Sequence, residues 1–185
     1  TGKFQFSSCF VLLYPCRAHN AESGKRGKKK SLEAAVNGLF RNERNKQARS
    51  GLNMSRIQVN VGGIRMGGGA PISIQSMTNT DTRNAEATVK QILELEDAGC
   101  EIVRSSVYDE RCVEVLPQII SKIHIPLVAD IHFDYRLAIG AIKAGVSKVR
   151  INPGNIGSEA GVRKLAECAS AYGVPIRIGV NGGSL

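Results

Sequence analysis

The sequence predicts an α/β domain of repeating strand–helix units, about the first five of an eight-stranded barrel. Three observations carry this expectation. Five short β-branched runs begin at residues 72, 102, 127, 148 and 176, 21 to 30 residues apart. Helical stretches with one apolar stripe separate them, and alternation at that spacing makes a parallel sheet with right-handed crossovers. Most of the runs end in charged or amide side chains, whereas a strand buried on both faces reads apolar throughout. Polar residues at the carboxyl ends of successive parallel strands are the layout of a TIM (β/α)8 barrel mouth, which takes about 250 residues when complete. With 185 residues, the five units form either an open five-stranded α/β domain or the first part of such a barrel, a partial barrel.

Taken in order, Ile57-Gln-Val-Asn-Val61 alternates like a half-exposed strand, and Gly62-Gly63 can turn it back into Ile64-Arg-Met66 as a small hairpin. Gly67-Gly-Gly69 fits neither a dinucleotide fingerprint nor a P-loop and is taken as a flexible connection. The barrel strands are Ile72–Ser76, Ile102–Ser106, Leu127–His132, Lys148–Asn152 and Ile176–Asn181. Asn84 caps a first helix that stops at Ala98-Gly99. A second runs from Asp109 to Lys122, with an expected break at Pro117. A third spans Tyr135 to Ala144, and a fourth begins after the capping Ser158 and ends at Tyr172-Gly173.

Residues 1–53 differ in kind from residues 54–185. They hold 11 Lys/Arg against 3 Asp/Glu, while the remainder holds 14 against 13, so nearly all of the formal net charge of +9 lies in the first segment. A solvated, disordered basic tail or a leader ahead of a start at Met54 is the preferred reading. Contact with nucleic acid or anionic lipid is the alternative, and no aromatic interleaving or recognised nucleic-acid motif accompanies the charge. Five cysteines at irregular spacing argue against a disulfide framework and fit a reducing compartment. The longest apolar run is far short of the ~20 residues that span a bilayer. The expected location is the cytoplasm, or a plastid if residues 1–53 form a transit peptide.

Side chains two apart share one face of a strand. Arg104, Arg150 and Arg177 therefore occupy equivalent places near strand ends, and guanidinium forks match phosphate oxygens bidentately. Three of them point to a multiply charged anion such as a diphosphate, against the alternative that each pairs with a local carboxylate. Asp130 and His132 share a face and can orient substrate or move protons, with a metal site as a minor alternative. Asp134 is a helix cap in the simpler view. Asn152 and Asn181 sit where the polar faces end and can contribute amide contacts. Asn155 is a turn residue, and His124, at a strand entrance, has no assigned role.

Several segments carry a resemblance. Gly67–Ile72, Gln75-Ser-Met-Thr-Asn-Thr80, Ala129-Asp-Ile-His-Phe-Asp-Tyr-Arg136, Arg150-Ile-Asn-Pro-Gly-Asn-Ile-Gly157 and Arg177-Ile-Gly-Val-Asn181 closely resemble, in order, the 4-hydroxy-3-methylbut-2-enyl diphosphate synthase (IspG/GcpE) family. The resemblance runs from about Ile57 to Leu185. It implies a TIM-barrel substrate domain and reductive opening of 2-C-methyl-D-erythritol 2,4-cyclodiphosphate, a step of non-mevalonate isoprenoid synthesis. It also implies a [4Fe–4S] cluster on a separate C-terminal domain, ferredoxin or flavodoxin as electron donor, and a homodimer. Carried over by motif, Arg104, Arg150 and Arg177 clamp the diphosphate, Asn152 and Asn181 add amide contacts, and Asp130 and His132 line the cavity. One departure is Ser105, where the family often has an apolar residue after the arginine. The family's cluster ligands match none of the five cysteines, so the expectation is an N-terminal piece that is inactive alone. Another anion-binding barrel enzyme of the pterin-synthase kind, or a basic-tailed nucleic-acid-binding module, are the alternatives.

Overall fold

The computed structural model describes residues 57–152 and 155–179. The basic first segment, Met54, Pro153, Gly154 and Asn181 lie outside the described residues. Within them, a two-stranded hairpin precedes a five-stranded parallel sheet flanked by four helices.

The hairpin consists of β1 (Gln58–Val61) and β2 (Ile64–Gly67), paired antiparallel with Val61 opposite Ile64. Asn60 Oδ1 accepts from the Gly63 amide at 2.9 Å, which holds the two-glycine turn. The glycine run that follows is a defined turn rather than a loose connection, closed by Ala70 N donating to Gly67 O at 2.9 Å.

The sheet runs in the order β3 (Gln75–Met77), β4 (Ile102–Ser106), β5 (Leu127–Ile131), β6 (Lys148–Ile151) and β7 (Ile176–Ile178). Each neighbour is parallel and successive in sequence. Val61 and Met66 of the hairpin pack on Ile102 and Val128 from β4 and β5. The hairpin therefore covers the amino-terminal end of one sheet face. Its turn fits closely there, since a Cβ on Gly62 would lie 2.7 Å from both Pro126 Cβ and Ser147 Oγ.

The helices are α1 (Ala85–Asp97), α2 (Glu110–Ile120), α3 (Tyr135–Lys143) and α4 (Glu159–Tyr172). Asn84, Asp109, Asp134 and Ser158 cap them, each accepting from a first-turn amide. α4 ends at Gly173 in the left-handed conformation, φ +65°. Val103, Ala129, Ile131 and Val149 of the sheet are buried in one cluster with Ile92, Leu116, Ile142 and Leu165 of the helices. That apolar face lies opposite the polar one, as alternation requires.

Two expectations are corrected. The first barrel strand begins at Gln75, not Ile72. Ile74 N donates to Glu101 Oε2 at 2.7 Å, so a side chain takes the place of the ladder partner. The second helix is continuous through Pro117. The proline is exposed and Ser121 N still donates to its carbonyl at 3.0 Å. Burial of Cys112, Leu116 and Ile119 on both sides of it outweighs the one backbone bond that proline removes.

Cys100 and Cys112 are buried and Cys168 is half-buried, all as free thiols. Burial pushes the Cys100 and Cys112 thiols up from their ordinary value, which makes them unreactive packing groups. Among the described residues, no helix is long and apolar enough to cross a membrane.

Candidate anion-binding site

The pairing register decides which side chains meet on the inner face. Met77, Arg104, Val128 and Lys148 form one row across β3 to β6. Ser106, Asp130, Arg150 and Arg177 form the next row, nearer the carboxyl ends of β4 to β7. His132, Asn152 and Gly179 follow two residues further along their strands, on the same face.

Asp130 ties three strands together. Arg150 Nη1 donates to its Oδ1 at 3.0 Å. Arg104 Nε lies 3.2 Å from its Oδ2 as an ion pair, but the N–H is not aimed at the oxygen, so the buried Nε makes no hydrogen bond. The Asp130 side chain is 3% exposed, against 13% and 12% for the two arginines. Arg104 Nη2 also donates to Met77 Sδ at 3.0 Å. Burial lowers the Arg104 pKa from its ordinary value, Asp130 opposes that, and the charges of Arg177 and Arg150 add to it. The three guanidinium groups thus share one electrostatic environment.

Arg177 stands opposite Arg150 in register, and its Nη1 is buried without a hydrogen-bond partner. His132 sits at the rim, with its side chain 40% exposed and Nε2 3.8 Å from Asp130 Oδ1. Asn152 is buried at the end of β6, and its carbonyl accepts from Asn155 N at 3.0 Å, consistent with a turn at Asn155. Asp134 caps α3. His124 is far from this face and pairs with Glu96 Oε1 at 3.0 Å.

Two inner-face residues escaped the sequence reading. Lys148 is 5% exposed, with Nζ 3.5 Å from Met66 Sδ. Gln75 is 2% exposed, and neither its Oε1 nor its Nε2 has a hydrogen-bond partner. Parity was the available signal, since Lys148 lies two residues before Arg150 and Gln75 two before Met77. Among the described residues of the two rows, four cations face one carboxylate. A face with that excess can hold a multiply charged anion.

The rim carries a second charged group. Arg83 Nε is 3.1 Å from each Asp81 oxygen and Tyr108 Oη donates to Asp81 Oδ1 at 2.5 Å. The Arg83 guanidinium lies 5.2 Å from the Tyr108 ring centroid. Arg83 holds the Asp81 carboxyl well below the usual carboxylate range, with Tyr108 assisting. The Tyr108 phenol, hydrogen-bonded to Asp81, is pushed up to about 12. Its folded value exceeds the ordinary ~10, so the contribution to stability is complete below pH ~10 and is lost as pH rises through about 12. In an ultraviolet phenolate titration, wild type minus Tyr108→Phe should show one phenolate forming near pH 12. A difference centred near pH 10 would contradict this.

A parallel β/α sheet with guanidinium groups collected near its strand carboxyl ends, and a hairpin over the other end of that face, places the chain among β/α-barrel proteins. The chain belongs to the GcpE family, with residues 56–185 matching the GcpE TIM-barrel domain. It is 59% identical over 127 residues to the 4-hydroxy-3-methylbut-2-en-1-yl diphosphate synthase (flavodoxin) of Listeria monocytogenes, covering 69% of this chain and 34% of that protein. Synthases of the same name from Clostridium perfringens and Caldicellulosiruptor saccharolyticus are 58% and 55% identical over 128 residues, covering 69% of this chain and 37% of each. The chain spans about a third of the length of the curated relatives it matches.

The described residues contain no group of three or more His, Cys, Asp or Glu side chains that could hold a metal. Cys100, Cys112 and Cys168 belong to separate parts of the fold, so an iron–sulfur cluster does not fit these residues.

Proposed function

We propose that the inner face is the diphosphate-binding part of a 4-hydroxy-3-methylbut-2-enyl diphosphate synthase. In this reading Arg104, Arg150 and Arg177 grip the diphosphate, Asn152 and Asn181 contact it through their amides, and Asp130 and His132 line the cavity. The single observation that supports it most is the cation excess around Asp130, with Arg177 Nη1 buried and unpartnered. Arg104 and Arg150 do find a carboxylate, but they share one between them, so local pairing does not account for the whole charge.

The longer protein would open 2-C-methyl-D-erythritol 2,4-cyclodiphosphate reductively, giving 4-hydroxy-3-methylbut-2-enyl diphosphate and water. A [4Fe–4S] cluster held elsewhere in the protein supplies the electron-transfer chemistry. Flavodoxin, which the relatives' names carry, is the preferred donor over ferredoxin. A homodimer in the cytoplasm completes the reading, and free thiols suit a reducing compartment.

The experiment is isothermal titration of the 185-residue chain with inorganic pyrophosphate. Binding is expected to weaken as salt rises. Arg177→Ala should lower affinity by roughly 10- to 100-fold, the worth of one charge-assisted hydrogen-bonding group. Unchanged affinity in Arg104→Ala, Arg150→Ala and Arg177→Ala together would reject the site.

A further inference from the structure

We propose that Gly179 is the positioning residue that seats the Arg150 guanidinium, its missing side chain being the space into which that group fits. Nine described glycines have positive φ, and Gly179 is not among them, so its conformation is open to any L-residue. Gly173 shows the opposite case, with φ +65° and nothing within 4 Å of an added Cβ. There glycine serves the chain's path, whereas at Gly179 it serves a neighbour.

That neighbour is Arg150. A Cβ on Gly179 would overlap Arg150 Nε outright and lie 2.8 Å from Nη2 and 3.0 Å from Cζ. Gly179 itself is fixed, because its amide donates to Ile151 O at 2.9 Å on the adjoining strand. The guanidinium therefore lies between Asp130 Oδ1 on one side, at 3.0 Å, and the bare Cα of Gly179 on the other. An alanine methyl would displace it by about 1 Å to reach ordinary contact distance. The colliding atoms are the end of a flexible side chain, so the fold should survive while the arginine moves. The functional consequence rests on the anion-site reading above, since a guanidinium displaced that far no longer meets the same oxygens.

The test is a double-mutant cycle on the 185-residue chain, read by pyrophosphate titration and by the Arg150 Nε–Hε resonance in a nitrogen-15 spectrum. Gly179→Ala is expected to weaken pyrophosphate binding about tenfold and to shift that resonance. In an Arg150→Ala background the same substitution should change affinity less than twofold, while in an Arg104→Ala background it should keep most of its effect. A purely structural role would weaken binding in every background, and that result would overturn the proposal. If the wild type does not bind pyrophosphate, the anion-site reading fails and the resonance decides. A shifted Arg150 signal in Gly179→Ala then upholds the seat, and an unmoved one rejects it.

Discussion

Asp130→Asn is expected to destabilise the fold by about 3–5 kcal/mol, the usual cost of removing one member of a buried ion-pair group. The substitution keeps the shape of the side chain and deletes the charge that Arg104 and Arg150 share. Both arginines are largely shielded, at 13% and 12% exposed, so water makes up for the lost charge only in part. Urea unfolding followed by circular dichroism measures the change, as a lower midpoint at constant slope. Pyrophosphate should then stabilise Asp130→Asn more than it stabilises the wild type, because an anion that binds only the folded form supplies the missing negative charge. An unchanged midpoint, or equal stabilisation of both proteins by pyrophosphate, would mean that Asp130 does not organise the arginines.

The second large effect is expected at Gly161→Ala, away from the site. Gly161 is buried in α4, and a Cβ there would lie 2.5 Å and 2.7 Å from Cδ1 and Cε1 of Tyr135. Two tendencies oppose each other. Alanine favours the helix over glycine by about 1 kcal/mol, and forcing a methyl against a packed ring costs about 1–3 kcal/mol. Contact this close makes the second larger, so thermal or urea denaturation should show a net loss. In a Tyr135→Ala background the collision is gone and Gly161→Ala should become stabilising. Failure of the sign to reverse would show that the ring is not what makes glycine necessary.

Much of this architecture was legible in the chain. Four of the five barrel strands start at the residues where their β-branched runs start, and every helix cap named from sequence accepts a first-turn amide. Those signals are local, so no distant partner was needed to read them. The exception among the strands, Ile72–Ser76, fails because Glu101 reaches Ile74 N from 27 residues away. Alternation placed Arg104, Asp130, Arg150 and Arg177 on one face. It could not show that Asp130 takes two arginines, because that depends on register between strands, and register is set by packing. Gly179 lay in plain view on the same face, yet its role depends on where a side chain from the neighbouring strand ends. Lys148 was hidden by ordinary expectation, since lysine is seldom fully buried.

Two of the chain's three methionines point their sulfur at inward cations, Met77 at Arg104 and Met66 at Lys148. A thioether is a weak, uncharged acceptor. It gives a guanidinium or an ammonium a direction without cancelling its charge, as a carboxylate would. Conversion to the sulfoxide would put a stronger but still uncharged acceptor beside each cation, so peroxide treatment should redirect the two cations without removing their charge.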